Sequence, residues 1–159
     1  MGLQIRSALV EDVPEILRLI RGLAEYEKLE HEVVATEERL RRSLFGERPA
    51  AEAVLGWLEG RAVGFAVFFH NYSTFRACPG LYLEDLFVEP AHRGGGHGKA
   101  LLLHVARLAA ERGCERMEWS VLDWNTPAIN FYKSLGANVM DDWRICRLTG
   151  AALEKAAGV

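Results

Sequence analysis

The sequence predicts an α/β (α+β) chain built on a mixed sheet. Apolar residues recur at helical spacing near the N-terminus and again past the middle of the chain, and short apolar runs with turn residues between them lie elsewhere. Helices and strands do not alternate strictly, so a simple βαβ repeat is excluded. A chain of 159 residues can bury a sizeable core without disulfides or a structural metal. No repeat, low-complexity run or Pro/Gly/Ser-rich linker divides it, and residues 1–159 read as a single domain.

Taken in order, Gln4 to Leu9 is a short first strand. Asp12, with Glu15 three residues on, approximates a capping box. Val13, Ile16, Leu17, Ile20, Leu23 and Ala24 then form one face of a helix reaching about Tyr26. Thr36 caps a second helix through Leu44. Ala53 to Leu58 and Ala62 to Phe69, separated by Glu59, Gly60 and Arg61, form an antiparallel hairpin. Leu81 to Val88 is the next strand. It leads through Glu89 and Pro90 into a glycine cluster and a helix from about Gly98 to Arg112, whose buried stripe is Leu101, Leu102, Val105, Leu108 and Ala109. Gly113 ends that helix, and Met117 to Leu122 reads as a strand. Pro127 opens a short helix through Leu135, Gly136 terminates it, and Trp143 to Leu148 is expected as a final strand.

Composition removes several function classes. Half the residues are hydrophobic and 26% are charged, with a net charge of −3, which gives no electrostatic reason to expect nucleic acid as a partner. Cys78, Cys114 and Cys146 form no CxxC pair, so neither a disulfide framework nor a metal site is indicated. The expectation is plain thiols in a reducing compartment. The N-terminus reaches Glu11 and Asp12 too soon for a secretory apolar region. No stretch approaches the roughly 18 apolar residues of a membrane span, and a cytoplasmic location without membrane contact is expected.

The most informative segment is Arg93-Gly94-Gly95-Gly96-His97-Gly98-Lys99, between a strand and a helix. Glycines there let backbone N–H groups approach an anion, and the helix N-terminus favours negative charge. A phosphate is the natural ligand. A Walker A loop is excluded, because Arg93 and Ala100 occupy positions that need Gly and Ser or Thr. A dinucleotide fingerprint starting at Gly94 or Gly96 meets Lys99 or Leu101 where its third glycine belongs.

The remaining pattern, Arg-Gly-x-Gly-x-Gly after Val88-Glu89-Pro90, resembles the pyrophosphate-binding motif of the GCN5-related N-acetyltransferase (GNAT) superfamily. Over about residues 5 to 148 the chain is similar to the diamine acetyltransferase branch, which includes spermidine/spermine and thialysine N-acetyltransferases. The matching blocks are Ile16-Leu-Arg-Leu-Ile-Arg, Leu23-Ala-Glu-Tyr-Glu-Lys-Leu, Tyr82-Leu-Glu-Asp, Val121-Leu-Asp-Trp-Asn and Asn130-Phe-Tyr-Lys. The resemblance implies a mostly antiparallel, twisted sheet flanked by helices, acetyl-CoA as acyl donor, a small-molecule amine as acceptor and a homodimer. His97 departs from it, standing where the family usually has Ile.

The resemblance also implies roles. Arg93, Gly94, Gly95, Gly96, His97, Gly98 and Lys99 would hold the pyrophosphate of coenzyme A. Leu86, Phe87, Val88, Asn125, Thr126, Pro127 and Ala128 would contact the rest of the cofactor, its amide-bearing pantetheine lying along an exposed strand as another strand would. Tyr132 would protonate the departing thiolate. An aliphatic amine with a pKa of about 10.4 is nearly all protonated at neutral pH, so a base is needed, and Glu84 is placed to take the proton directly or through water. Tyr26, Glu27, Glu84, Glu118, Trp119 and Ser120 would border the amine, the carboxylates pairing with ammonium and the rings adding cation–π contact. The loop from His70 to Gly80 has no carboxylate and carries Arg76, whereas polyamine-specific relatives tend to place an acid there. A short amine or lysine-like amino acid is therefore favoured over a long polycation. Two other classes fit the glycine loop: a transferase acting on protein or peptide amines, and a non-catalytic sensor domain that binds coenzyme A.

Overall fold

The computed structural model describes residues 2–159. They form two compact units, the first ending at Ser120 and the second comprising Val121–Val159.

The first unit holds a five-stranded sheet in the order β1-β2-β3-β4-β5, with β1 Gln4–Ser7, β2 Glu52–Leu58, β3 Arg61–Ser73, β4 Cys78–Val88 and β5 Met117–Trp119. The first four strands are antiparallel neighbours, while β5 runs parallel to β4. This is the mixed, mostly antiparallel sheet that was expected. Glu59 and Gly60, both at positive φ (49° and 79°), make the two-residue turn between β2 and β3, matching the twist of a tight hairpin.

Three helices belong to this unit: α1 Val13–Glu27, α2 Glu37–Phe45 and α3 His97–Glu111. Period-two alternation sorts the sheet residues between them. In the pair Phe65 and Phe87 the side chains join Ile16 and Leu19 of α1 in one core, flanked by Leu40, Leu44 and Phe45 of α2. The next pair, Gly64 and Val88, turns to the other face. A Cβ built on Gly64 would lie 3.1 Å from Leu101 of α3 and 2.8 Å from the Phe87 carbonyl, so glycine is required for that approach. Leu101, Leu102, Val105 and Ala109 are the buried residues of α3, four of the five in its predicted stripe.

Side-chain capping holds at one expected helix start and fails at another. Thr36 Oγ1 accepts from the Arg39 amide, as expected. Asp12 does not cap α1 with its side chain. Its carboxylate accepts from the Leu9 amide at 2.7 Å and from both terminal nitrogens of Arg6, so it closes a 3-10 turn at Val10–Asp12 that precedes the helix.

In the second unit, α4 Thr126–Ser134 has Asn125 as N-cap, Pro127 in its first turn and Gly136 at φ 91° just beyond its end. One expectation is corrected here. Trp143 to Leu148 forms no strand among the described residues, and a helix, α5 Gly150–Ala157, follows it. The first unit also departs in length: β5 ends at Trp119 and not at Leu122, and β3 and β4 run through most of the His70 to Gly80 segment expected as a loop, leaving only a four-residue turn at 74–77.

Candidate active site

The site grows from the way β4 ends. β4 pairs with β5 only from Leu81 to Leu83. Beyond Leu83, β4 continues to Val88 against β3 alone, so Leu86, Phe87 and Val88 border an edge that no strand of the sheet covers. Such an edge suits an amide-bearing ligand. The same stretch is bulged. Asp85 lies opposite Val67 and Leu83 opposite Phe68, which leaves Glu84 as the extra residue.

The bulge breaks the regular alternation that would place Glu84 and Asp85 on opposite faces. Glu84 is exposed and Asp85 half-buried. Burial, with the nearby carboxylates of Glu84 and Glu27, pushes the Asp85 carboxyl up to about 6. Burial also raises Glu27, in the last turn of α1. The charges of Glu27 and Glu84 thus both act on Asp85, a residue that sequence reasoning passed over. The signal for Asp85 was present in the sequence as an acidic pair inside an otherwise apolar strand.

Of the acidic residues around the end of α1, Glu27 is half-buried, whereas Glu25, Glu30 and Glu32 are exposed. Glu25 and Glu30 instead line a cleft of about 370 Å³ with Arg21.

The other residues expected near the amine are already engaged. Glu118 pairs with Arg116 at 2.8 Å and accepts from Asn71 at 3.3 Å. The Ser120 hydroxyl is 2.7 Å from that of Tyr82. Trp119, the last residue of β5, is half-buried. Arg76, in the turn between β3 and β4, pairs with Glu115 at 2.6 Å.

After β4 comes the glycine loop. Its entry is fixed by Glu89, whose carboxylate accepts from Arg18 of α1 and from Arg61 at 2.9 Å, while Arg18 also donates to the Ala62 carbonyl at 2.6 Å. Gly94 and Gly96 adopt positive φ of 86° and 77°, a region that favours glycine. A Cβ at either position would meet nothing, so backbone conformation, and not packing, selects glycine there. Gly96 is the N-cap of α3 with no side-chain cap, and the first helical bond runs from the Ala100 amide to the Gly96 carbonyl. The amides of His97, Gly98 and Lys99 precede that bond and point from a helix N-terminus. The His97 ring lies over the loop, 2.9 Å from where a Gly95 Cβ would sit. These features fit a pyrophosphate.

Residues 15–137 match the Acetyltransferase (GNAT) family. The chain belongs to the GNAT acetyltransferase family. Its N-acetyltransferase relatives extend over nearly the whole sequence. Thialysine N-epsilon-acetyltransferase of Bos taurus is 39% identical, with 97% of this chain and 96% of that protein covered. L-ornithine N5-acetyltransferase of Arabidopsis thaliana is 36% identical, with 95% and 86% covered. Among solved structures, an integron cassette protein from the mobile metagenome of V. cholerae superposes with a TM-score of 0.85 at 25% identity, covering 100% of this chain and 99% of that one.

Five of the residues that the sequence reading expects at the site, Asn125, Thr126, Pro127, Ala128 and Tyr132, lie in the second unit. Asn125 Oδ1 accepts from the Ala128 amide at 3.4 Å, so the segment expected to touch the cofactor is also the start of α4. Tyr132 is half-buried near the end of α4, its ring centroid 5.5 Å from that of Phe131.

Proposed function

We propose that the chain transfers the acetyl group of acetyl-CoA to the primary amine of a small molecule, a lysine- or ornithine-like amino acid or a short diamine, by direct attack in a ternary complex. The observation that carries this reading is the group of carboxylates formed by Glu84 and Asp85 in the bulge of β4 and Glu27 in the last turn of α1, with an uncapped glycine loop following β4. The near full-length relatives named for thialysine and ornithine support the same substrate class. The catalytic domain would span both compact units, because the family match crosses their boundary.

Acetyl-CoA supplies an acyl group activated as a thioester. The amides of His97 to Lys99, with the charges of Arg93 and Lys99, would hold its pyrophosphate, and the open edge at Leu86 to Val88 would receive the pantetheine amides. The carboxylates attract the ammonium, and Glu84, exposed at the bulge, takes its proton directly or through water. Tyr132 gives its phenolic proton to the departing thiolate. Because Arg76 is paired with Glu115, the preference against a long polyamine rests on the few carboxylates at the site. Glu118 has an Arg partner, so Glu27, Glu84 and Asp85 supply the negative charge, and a fourth ammonium left unpaired is costly.

A panel of thialysine, L-ornithine, L-lysine, putrescine, spermine and a lysine-containing peptide, assayed by thiol release, tests this. Higher kcat/KM for the amino acids or the diamine than for spermine is expected. Preference for spermine or the peptide would reject the substrate assignment, and no thiol release with any of them would favour a sensor domain.

The chain is also proposed to be a homodimer. Trp143, Ile145 and Leu148 of the second unit are 75%, 71% and 57% exposed in a segment with no strand partner among the described residues, and apolar surface of this kind is suited to a second copy. Light scattering should give twice the chain mass, falling toward one chain mass for Trp143→Glu/Ile145→Glu. A monomeric wild type would reject the dimer. The three cysteines are free, consistent with a reducing cytoplasm.

A further inference from the structure

We propose that Arg93 is a positioning residue that couples the two substrate sites, so that coenzyme A and the amine strengthen each other's binding through its contact with Tyr26. This inference rests on the functional reading above, in which the glycine loop binds coenzyme A and the end of α1 borders the amine.

The sequence places Arg93 at the mouth of the glycine loop, where it reads only as a phosphate ligand. The structure adds a second engagement. Its Nε donates to the Val88 carbonyl at 2.9 Å, which anchors the side chain to the end of β4. Its guanidinium carbon lies 4.3 Å from the centroid of the Tyr26 ring and 5.5 Å from that of Phe87. Phe87 is 3% exposed and belongs to the core formed with α1, so it is a fixed wall. Tyr26 is half-buried, in the last turn of α1 beside Glu27, and Lys28 in the left-handed conformation (φ 61°) ends the helix directly after. The aromatic contact thus reaches from the loop to the turn that carries a carboxylate of the amine site.

A guanidinium can serve both sites at once because its interactions are orthogonal. Its faces stack on rings, and its edge carries N–H donors for a carbonyl or a phosphate oxygen. With Nε committed to Val88, the two terminal nitrogens retain donors that an anion on the loop can engage. An anion there fixes the plane of the guanidinium, which fixes the ring of Tyr26 and the helix turn bearing Glu27. In reverse, an amine that orders this turn holds Arg93 ready for phosphate. Linkage requires the two effects to be equal in free energy. Lysine carries the same charge but has neither the plane nor the Nε anchor.

Calorimetric titration with coenzyme A tests the coupling without turnover, using wild type, Tyr26→Leu, Tyr26→Phe, Arg93→Ala, Arg93→Lys and the double variant Tyr26→Leu/Arg93→Ala, each also checked for Tm. Tyr26→Leu, although outside the loop, is expected to weaken coenzyme A about two- to fivefold, the range of a partly exposed cation–π contact. Tyr26→Phe, which keeps the ring, should stay within about twofold of wild type. In the Arg93→Ala background, Tyr26→Leu should have no further effect. Saturating thialysine should tighten coenzyme A binding to wild type, and this gain should vanish in both Arg93→Ala and Arg93→Lys.

Multiplicative effects of Tyr26→Leu and Arg93→Ala would overturn the proposal, as would retention of the thialysine effect in Arg93→Lys. The Arg93→Lys comparison keeps the test decisive if Tyr26→Leu lowers Tm. Failure of wild type to bind coenzyme A at all would instead overturn the functional reading, and this inference with it.

Discussion

Replacing Tyr132 by phenylalanine should lower kcat about a hundredfold or more, the usual contribution of a positioned acid, while leaving coenzyme A affinity within about twofold. The substitution removes one hydroxyl and keeps the ring that lies beside Phe131. The N-cap of α4 at Asn125 and the turn at Gly136 are untouched, so the helix should persist. On the proposed mechanism, what is lost is the proton that the developing thiolate needs. Loss of an interaction made only in the transition state lowers kcat and kcat/KM together. A single-turnover experiment by rapid quench separates this step from product release, and calorimetry reports the cofactor affinity. A single-turnover rate near that of wild type would remove Tyr132 from the chemistry. A parallel loss of affinity would make it a binding residue instead.

Much of the fold was legible because local and global signals agree. The face of α1, the Thr36 cap, the Glu59-Gly60 turn and the glycines that end α3 and α4 each follow from a rule confined to a few residues. Where the outcome depended on a partner outside the motif being read, local reading fell short. Asp12 has the composition of a cap for α1, but Arg6 and the Leu9 amide compete for its carboxylate. Trp143 to Leu148 has the composition of a strand, yet a strand is stable only where a neighbour meets its backbone groups, and none does among the described residues.

The candidate site divides in the same way. The glycine loop's place before α3 was readable because its conformation depends on backbone freedom, and Glu27 and Glu84 were singled out from motif blocks. The bulge at Glu84 was not, because a bulge is a relation between two strands. With it went the environment of Asp85 and the contact between Arg93 and Tyr26, which joins positions far apart in the chain.

Asp85→Asn should make the protein more stable and less active, in a manner that depends on pH. In the folded chain the Asp85 carboxyl is raised to about 6 by burial and by the charges of Glu84 and Glu27. A raised carboxyl means that the fold disfavours the ionised form. Asp85 therefore costs nothing well below its ordinary range, and stability falls as pH rises from there through about 6, levelling off above. The full cost of the ionised form is about 3 kcal/mol, which for a chain of this length corresponds to a Tm change of roughly 5–10 °C.

Asparagine keeps the shape and removes the charge, so Tm should rise by about that amount at pH 8 and by about half as much at pH 5, where folded wild-type Asp85 is largely protonated but the unfolded carboxyl is already ionised. The same charge is useful once an ammonium is present to pair with it. Its loss should raise KM for the amine about ten- to hundredfold, as expected for a charge-assisted contact. The acid limb of kcat/KM near pH 6 should flatten in the variant. Thermal scans at the two pH values and a pH profile with thialysine check both halves. Equal Tm values for the two proteins at pH 8 would show that Asp85 is not held under electrostatic strain. An unchanged KM for the amine would remove it from the substrate site and leave Glu27 and Glu84 as the carboxylates that receive the amine.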